Sequence, residues 1–521
     1  MSQRNSGFRP WMAWGLPIAF ALAGTSVGTA ARADEASDLR ANNQLLQQRL
    51  DQLAQQPSVP GNVYGVGPAN PAATTGATGG SFPRSFLIPG TDTSIRIGGQ
   101  ITEIVDYWLS GGPPNGSPQS TTVGDNGQVQ ALPLGSGGQG SRGNGIFQQS
   151  PRESKLSVET RTPSPYGEVR TFMEFDWAGS TNYAPGGANP TSVSDNLHPR
   201  LRYAYGTLGG LLAGQANSNF SDPDADSETI DFGGNVGGPG VVRIPQVRYT
   251  IPTGWWGSAI AFSAETPETD ILTPLGLVGS DAGVSSAAVS PGQNACTVTG
   301  VAGATCTVGA ALNVNPAKST APDLVAAWFI PQPWGHLDFA AVIRPGLDVQ
   351  DGRFLSRQFI GYGVQVSGAF KPGWMGWAKD TIQGHFTVGD ALGRYLNSST
   401  NFALATNFRA ATTSPANAAT ILVKPTRQLG VNVGYTHHWS PNLRSTINFG
   451  YNRQDLDAPI SLIGSQAGAG NKEIYTSHLN LIWSPVSFVD IGAEYMYGHR
   501  VVFNNQSGNE NTLIGEFKFR F

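Results

Sequence analysis

Asn511-Thr-Leu-Ile-Gly-Glu-Phe-Lys-Phe-Arg-Phe521 is the last stretch of the sequence and the most decisive. Leu513, Gly515, Phe517, Phe519 and Phe521 share one parity, and Thr512, Ile514, Glu516, Lys518 and Arg520 share the other. A period of two with one apolar and one largely charged face marks a strand whose two sides meet different surroundings. The surface of a soluble sheet can produce that pattern. It rarely ends on a strand with three aromatics on one face and Phe as the final residue.

These residues resemble the C-terminal strand of bacterial outer-membrane β-barrels, where alternate aromatics and a final Phe form the assembly signal. The resemblance implies that role for Phe517, Phe519 and Phe521, with the barrel-assembly machinery as a partner. The opposite end reads as a secretory signal peptide over residues 1–33. Arg4 and Arg9 form a basic region, Trp11 to Gly24 is apolar, and Ala31-Arg32-Ala33 offers a cleavage site. A membrane-spanning helix fits less well, because the apolar run is short and broken by Gly15, Pro17 and Gly24.

Composition points the same way. Charged residues are 13% of the chain against a usual quarter, while Gly reaches 67 of 521 residues and aromatics 10%. That suits a barrel exposed to lipid on every second strand residue. The formal charge is -4, and residues 1–33 carry three arginines and no acid, so the mature chain is near -7. This balance argues against nucleic-acid binding. Cys296 and Cys306 are expected to form a disulfide within one loop of an exported chain.

Residues 34–56 contain no Gly or Pro. Leu39, Leu46 and Leu53 repeat every seven residues, with Ala36, Asn43 and Leu50 interleaved, which places leucines at d and the second set at a of a coiled coil. An Asn at a fixes register and oligomer state at a cost in stability. A single amphipathic helix is the simpler alternative. Residues 57–84, rich in Gly, Pro, Ala, Ser and Thr, read as a flexible linker to a barrel over 85–521.

Within 85–521 alternating blocks recur. Ile95, Ile97, Ile101, Val105 and Tyr107 oppose Arg96, Gln100, Thr102 and Asp106, with Glu103 breaking the apolar face as though near a rim. Val169, Thr171, Met173, Phe175 and Trp177 oppose Glu168, Arg170, Glu174 and Asp176; Leu201, Tyr203 and Tyr205 oppose Arg200 and Arg202. The apolar parity is expected to face lipid and the polar parity water. Seven tight turns, most flanked by Trp or Tyr, alternate with eight long polar loops. Fifteen connections predict an all-β, antiparallel transmembrane barrel of sixteen strands, with aromatic girdles and both termini on the tight-turn, periplasmic side. A barrel of that size encloses a water-filled channel. A soluble sandwich, propeller or solenoid would lack the asymmetry between the two sets of connections.

The third long loop, residues 216–241, mixes Asp222, Asp224, Asp226, Glu228 and Asp231 with Phe220, Ile230 and Phe232, as a segment does when it packs on something. Calcium binding is disfavoured: Ser227 and Gly233 stand where an EF-hand loop needs Gly and Glu. Gly214-Gln215, Ser218-Asn-Phe220, Asp222, Asp231-Phe-Gly-Gly234 and Arg243-Ile-Pro-Gln-Val-Arg-Tyr-Thr250, together with the entry strand Leu87–Gly99, resemble the DcaP-like trimeric porins of Gram-negative bacteria. That resemblance spans Asp34 to Phe521. It implies a homotrimer in outer-membrane lipid, a periplasmic coiled coil, a third loop folded into the lumen, and passage of small anionic or neutral solutes such as dicarboxylates. The fourth loop with its two cysteines has no counterpart in the pattern.

Lys155, Arg161, Arg170, Arg200, Arg202 and, with Pro245 disturbing the register, Arg248 fall on the inward parity of the early strands. Facing an acidic third loop, they are expected to set a transverse field across the constriction, and guanidinium groups suit carboxylates. No catalytic constellation, cofactor motif or metal-ligand spacing emerges. Adjacent Ser477 and His478 would point to opposite faces of a strand. An adhesin or envelope tether without conductance is the alternative function.

Overall fold

The computed structural model describes residues 79–111, 132, 144–179, 198–239, 242–273, 276–278, 317–350, 354–373, 379–396, 401–406, 416, 419, 421–456, 470–503 and 505–521. The signal peptide, the coiled-coil residues Leu39, Asn43, Leu46, Leu50 and Leu53, and the cysteine pair Cys296 and Cys306 lie outside the described residues.

Sixteen strands form the barrel: β1 (Ser94–Ser110), β2 in two pieces (Ile146–Ser150 and Lys155–Ser164), β3 (Gly167–Gly179), β4 (His198–Leu208), β5 (Leu211–Asn217), β6 (Arg243–Pro252), β7 (Ala259–Glu265), β8 (Asp323–Gln332), β9 (Gly335–Gln350), β10 (Ser356–Phe370), β11 (Thr381–Asp390), β12 (Val423–Ser440), β13 (Leu443–Leu456), β14 (Asn471–Val486), β15 (Val489–Val502) and β16 (Ser507–Arg520). Each pairs antiparallel with its neighbour in sequence, and β1 pairs with β16 from Gln100↔Arg520 to Ser110↔Asn511, which closes the sheet. Closure removes the unpaired edges that lipid could not satisfy. The strand number and the alternation of connections agree with the sequence reading.

The two faces separate as period two demands. Ile97, Ile101, Val247, Tyr249, Ile360, Tyr362, Leu479, Leu513, Phe517, Phe519 and Phe521 are exposed on the outside. Thr102, Asp106, Asp176, Gln365, Asn448, Glu494 and Glu516 are buried inside. Tyr166, Trp255, Trp256, Trp439, Trp483 and Phe488 cluster at the tight turns and are exposed there, a position suited to a membrane interface.

Three local features depart from simple alternation. Glu103 lies opposite Phe517 in mid-strand, on the outward face and away from a rim. Pairing of β3 with β4 slips between Glu174↔Tyr203 and Phe175↔Leu201, so Arg202 is an extra residue on β4. Such a bulge reverses which parity faces inward. Leu201 stays outside, but Tyr203 and Tyr205, expected to face lipid, point into the lumen opposite Glu174 and Phe172. Pro245, expected to disturb the register, does not: pairing of β5 with β6 runs unbroken from Leu211↔Tyr249 to Asn217↔Arg243.

Residues 79–84, expected to belong to a flexible linker, contact the barrel. Ser81 N donates to Ser94 Oγ at 2.9 Å, and Phe82 is buried beneath the Arg161 guanidinium, 4.4 Å from its ring centroid. Two loop segments, Ile271–Thr273 and Leu404–Thr406, pair in parallel, and the second also pairs antiparallel with Val423–Pro425 at the start of β12.

Candidate functional site

The third loop crosses the barrel interior and binds the wall formed by β9 to β15. Asp222 Oδ2 lies 2.9 Å from His336 Nε2 and accepts from Ser367 Oγ at 2.9 Å. Burial would raise this carboxyl, but the His336 contact and the Ser367 hydroxyl hold it below the usual carboxylate range. A single turn of 3-10 helix follows at Pro223–Ala225. Gln383 Nε2 donates to the Asp224 carbonyl at 3.0 Å, and His385 Nε2 lies 3.1 Å from Asp226 Oδ1. Arg444 grips Glu228 with two hydrogen bonds of 2.6 Å. The backbone amides of Ile230 and Asp231 donate to the two oxygens of Glu494, at 2.8 and 3.0 Å. Asp222 and Asp226 thus meet different histidines on the wall.

Glycine makes this docking possible. Gly430, Gly434, Gly450 and Gly492 lie on the inner face of β12, β13 and β15, and a Cβ at each would overlap Gly237, Ser227, Val236 or Ile230 of the loop. Gly237 itself has φ +88° and sits against the carbonyls of Tyr451 and Val431. The loop backbone therefore packs directly on strand backbone, and Ile230 and Val236 join Ile474, Ile482, Met496 and Ile514 in one buried apolar cluster.

A second inward-folded loop fills the sector of β6 to β9. Phe220, Leu392, Tyr395 and Leu396 cover Ile244, Val325, Ala327, Ala340 and Val342. Phe220 meets Tyr395 edge-on at 5.5 Å. Beneath them Arg344, wholly buried, donates to Asp323 Oδ2 at 3.1 Å, to the Ala391 and Leu392 carbonyls at 2.8 and 2.9 Å, and to the Glu268 carbonyl. Tyr395 Oη bridges Asp323 and Glu265, and Glu265 holds Ser218 Oγ and the Asn219 amide at the root of the third loop. Three loops are thereby tied to one buried polar network.

Asp270, whose carbonyl accepts from the Ala403 and Leu404 amides, belongs to the same corner. Burial, then the Glu268 charge, push its carboxyl up to about 8 against the pull of Arg344 and Arg394. A raised folded-state value favours packing below the unfolded carboxyl range near pH 4, and the advantage is lost as pH rises through about 8. Current noise from these loops is expected to grow between about pH 7 and 9, and Asp270→Asn to flatten the change; single-channel recording at both pH values checks it.

The remaining sector, β1 to β6, carries the basic residues. Glu159 accepts from Arg170 Nε at 2.7 Å and from Arg161 Nε at 2.9 Å, and also meets Arg96. Asp176 accepts from Arg200 Nε at 3.0 Å and Arg202 Nη1 at 2.8 Å, while Arg202 Nε reaches Glu174 at 2.7 Å. Arg161, Arg170 and Arg200 keep about a third of their side chains exposed; Arg202 is nearly buried. The Nε atoms of Arg243 and Arg248 are buried without a hydrogen-bond partner among the described residues. Lys155 starts the second piece of β2 opposite Asp176. Cations outnumber carboxylates along this wall, and Phe232 from the third loop reaches it, 5.4 Å from the Arg200 guanidinium.

Sequence reading placed the six basic residues on one sector and the third loop inside. It did not show that Asp222, Asp226 and Glu228 turn to the far wall, because their partners His336, His385 and Arg444 are 114 to 216 residues away. It also passed over Arg243, Phe172 and the second loop around Tyr395. The Arg-Ile-Pro motif at 243–245 and the inward parity of Phe172 were visible; Tyr203 and Tyr205 were hidden by the bulge.

The sequence matches the porin subfamily over residues 84–517. No match was found among curated proteins. Among solved structures the outer membrane channel DcaP of Acinetobacter baumannii is similar at 21% identity and a TM-score of 0.60, covering 85% of this chain and all of that one. OmpT of Vibrio cholerae aligns more loosely, at 7% identity and a TM-score of 0.43 over 84% of this chain and all of its own. An anion-selective porin from Comamonas acidovorans does so at 6% and 0.43, over 82% of this chain and all of its own. With the family match spanning nearly the whole closed barrel, the chain belongs to the porin subfamily and is an outer-membrane β-barrel.

Proposed function

We propose that the protein is a passive outer-membrane channel that favours small anions, dicarboxylates among them, over neutral solutes and cations. The observation that carries this reading is the imbalance of charge. Glu159 serves three guanidinium groups, Arg243 and Arg248 form no ion pair among the described residues, and Asp222, Asp226 and Glu228 are engaged on the opposite wall. The open side of the constriction therefore holds a positive excess. Lys155, Arg161, Arg170, Arg200, Arg202 and Arg248 form that wall, joined by Arg243, with Phe82 covering Arg161 on one side. A carboxylate crossing there exchanges part of its hydration for guanidinium contacts, and attraction stays weak enough for release.

Arg243 and Arg248 are the informative positions, because Arg200 and Arg202 share buried Asp176 and removing either would disturb that cluster as well as the charge balance. Arg243→Gln with Arg248→Gln is expected to lower the anion-to-cation permeability ratio about severalfold, measured as reversal potential under a salt gradient. The difference should fade near 1 M salt, where screening shortens to about 3 Å. An unchanged ratio at low salt would sink the assignment.

The assembly we propose is a homotrimer. The hydrogen-bonded pair Thr160–Thr171 lies on the outward face of β2 and β3, where lipid is a poor solvent for hydroxyl groups and a partner barrel a better one. Native mass spectrometry in mild detergent should give three chains; a monomer contradicts it. A 34–56 coiled coil and a Cys296–Cys306 bridge belong to the same proposal.

A further inference from the structure

The bulge at Arg202 does more than reverse a strand. It turns Tyr203 and Tyr205 inward beside Phe172, so three aromatic rings of adjacent strands meet on the lumen wall. Phe172 lies 5.8 Å from Tyr203 and 5.7 Å from Tyr205, and the two tyrosines are 6.4 Å apart. The rings are tilted at 60°, 43° and 79°, so they do not cover one another, and all three side chains remain partly exposed. Cations border the group: Arg170 is 5.7 Å from the Phe172 centroid and 5.8 Å from that of Tyr205, and Arg243 is 5.1 Å from that of Tyr203. Across the gap, the third loop brings Phe232 to Arg200.

Apolar rings facing a water-filled lumen cost hydration, and this sector does not need them as core. The buried apolar clusters of the interior lie elsewhere, around Phe220 and Tyr395, around Ile230 and Val236, and around Leu347 and Leu404. Rings offset at these distances accept a further ring edge-on or offset-stacked. Guanidinium groups at the margin accept a carboxylate carried by the same molecule. A neutral sugar would gain only the first contact, and an aliphatic dicarboxylate only the second.

We propose that Phe172, Tyr203 and Tyr205, with Arg170 and Arg243 beside them, form a transit subsite for single-ring aromatic carboxylates. The subsite rests on the anion-channel reading above and narrows its substrate class. Ring contact adds a modest preference, about fivefold, over a carboxylate of equal charge and length without a planar ring. A stronger preference would hold the solute in the pore.

The test compares terephthalate with trans-1,4-cyclohexanedicarboxylate, two dianions of nearly the same length that differ in aromaticity. Wild-type protein in liposomes should admit terephthalate about fivefold faster, and terephthalate should interrupt single-channel current for longer. Phe172→Leu combined with Tyr205→Leu should bring the ratio near one. Equal rates in the wild type overturn the subsite, whatever the variant does, and so does a ratio that survives both leucines. A separate pair, succinate against arabinose in the wild type, reports the anion reading. If succinate is favoured and terephthalate is not, only the subsite fails. If terephthalate is favoured and succinate is not, the subsite stands and the general preference for anions fails.

Discussion

Gly450→Val is expected to give a narrower and noisier channel while the barrel still assembles. Gly450 lies mid-strand on β13, and a Cβ there would overlap the backbone of Val236 in the third loop. The obstruction is backbone, so no side chain can swing aside. Valine suits a strand, and the sheet itself should not suffer. Overpacking of this kind costs about 1–3 kcal/mol, which shifts the balance between docked and displaced loop by about 5- to 150-fold. The loop then moves toward the basic wall, lowering single-channel conductance and adding flicker. Gly515→Ala is the control: its Cβ would make ordinary contact with Val105 at 3.6 Å on the outer face. If Gly450→Val conducts as quietly as the control, the loop is not seated where these contacts put it.

Arg344→Met should be the most destabilising single change among those considered. Methionine fills most of the volume but leaves Asp323 buried without its ion pair, and the Ala391, Leu392 and Glu268 carbonyls without their donor. Breaking a buried pair by removing one partner costs about 3–5 kcal/mol. A large drop in the temperature at which the detergent-solubilised barrel unfolds should follow. Adding Asp323→Asn should recover part of the loss, since an amide needs no counter-charge and can still accept from Tyr395. Equal losses in the single and double variants would mean that Arg344 acts through packing and not through the charge pair.

These two positions show where legibility ended. The strand count, the closure and the inside-out polarity follow from period two, from Pro- and Gly-bearing turns and from the contrast between short and long connections. All are local, because the pleat fixes the side of each side chain from its neighbours alone. Local rules also fail locally: one extra residue at Arg202 sent Tyr203 and Tyr205 to the opposite face, and nothing in Arg200-Leu-Arg-Tyr-Ala-Tyr205 announces a bulge.

The sequence by itself determined a sixteen-stranded, lipid-facing barrel with a basic sector and an acidic, partly apolar third loop. Only the tertiary structure decided which wall that loop seeks, which of its acids are spent on His336, His385 and Arg444, and which arginines meet no carboxylate among the described residues. The physical reason is separation. A strand's pattern is written within about ten residues, whereas docking a loop in a lumen depends on charges and missing side chains brought together from strands hundreds of residues apart. Intrinsic propensity alone would make glycines 430, 434, 450 and 492 weak points of their strands. In the folded barrel they are the floor on which the third loop lies.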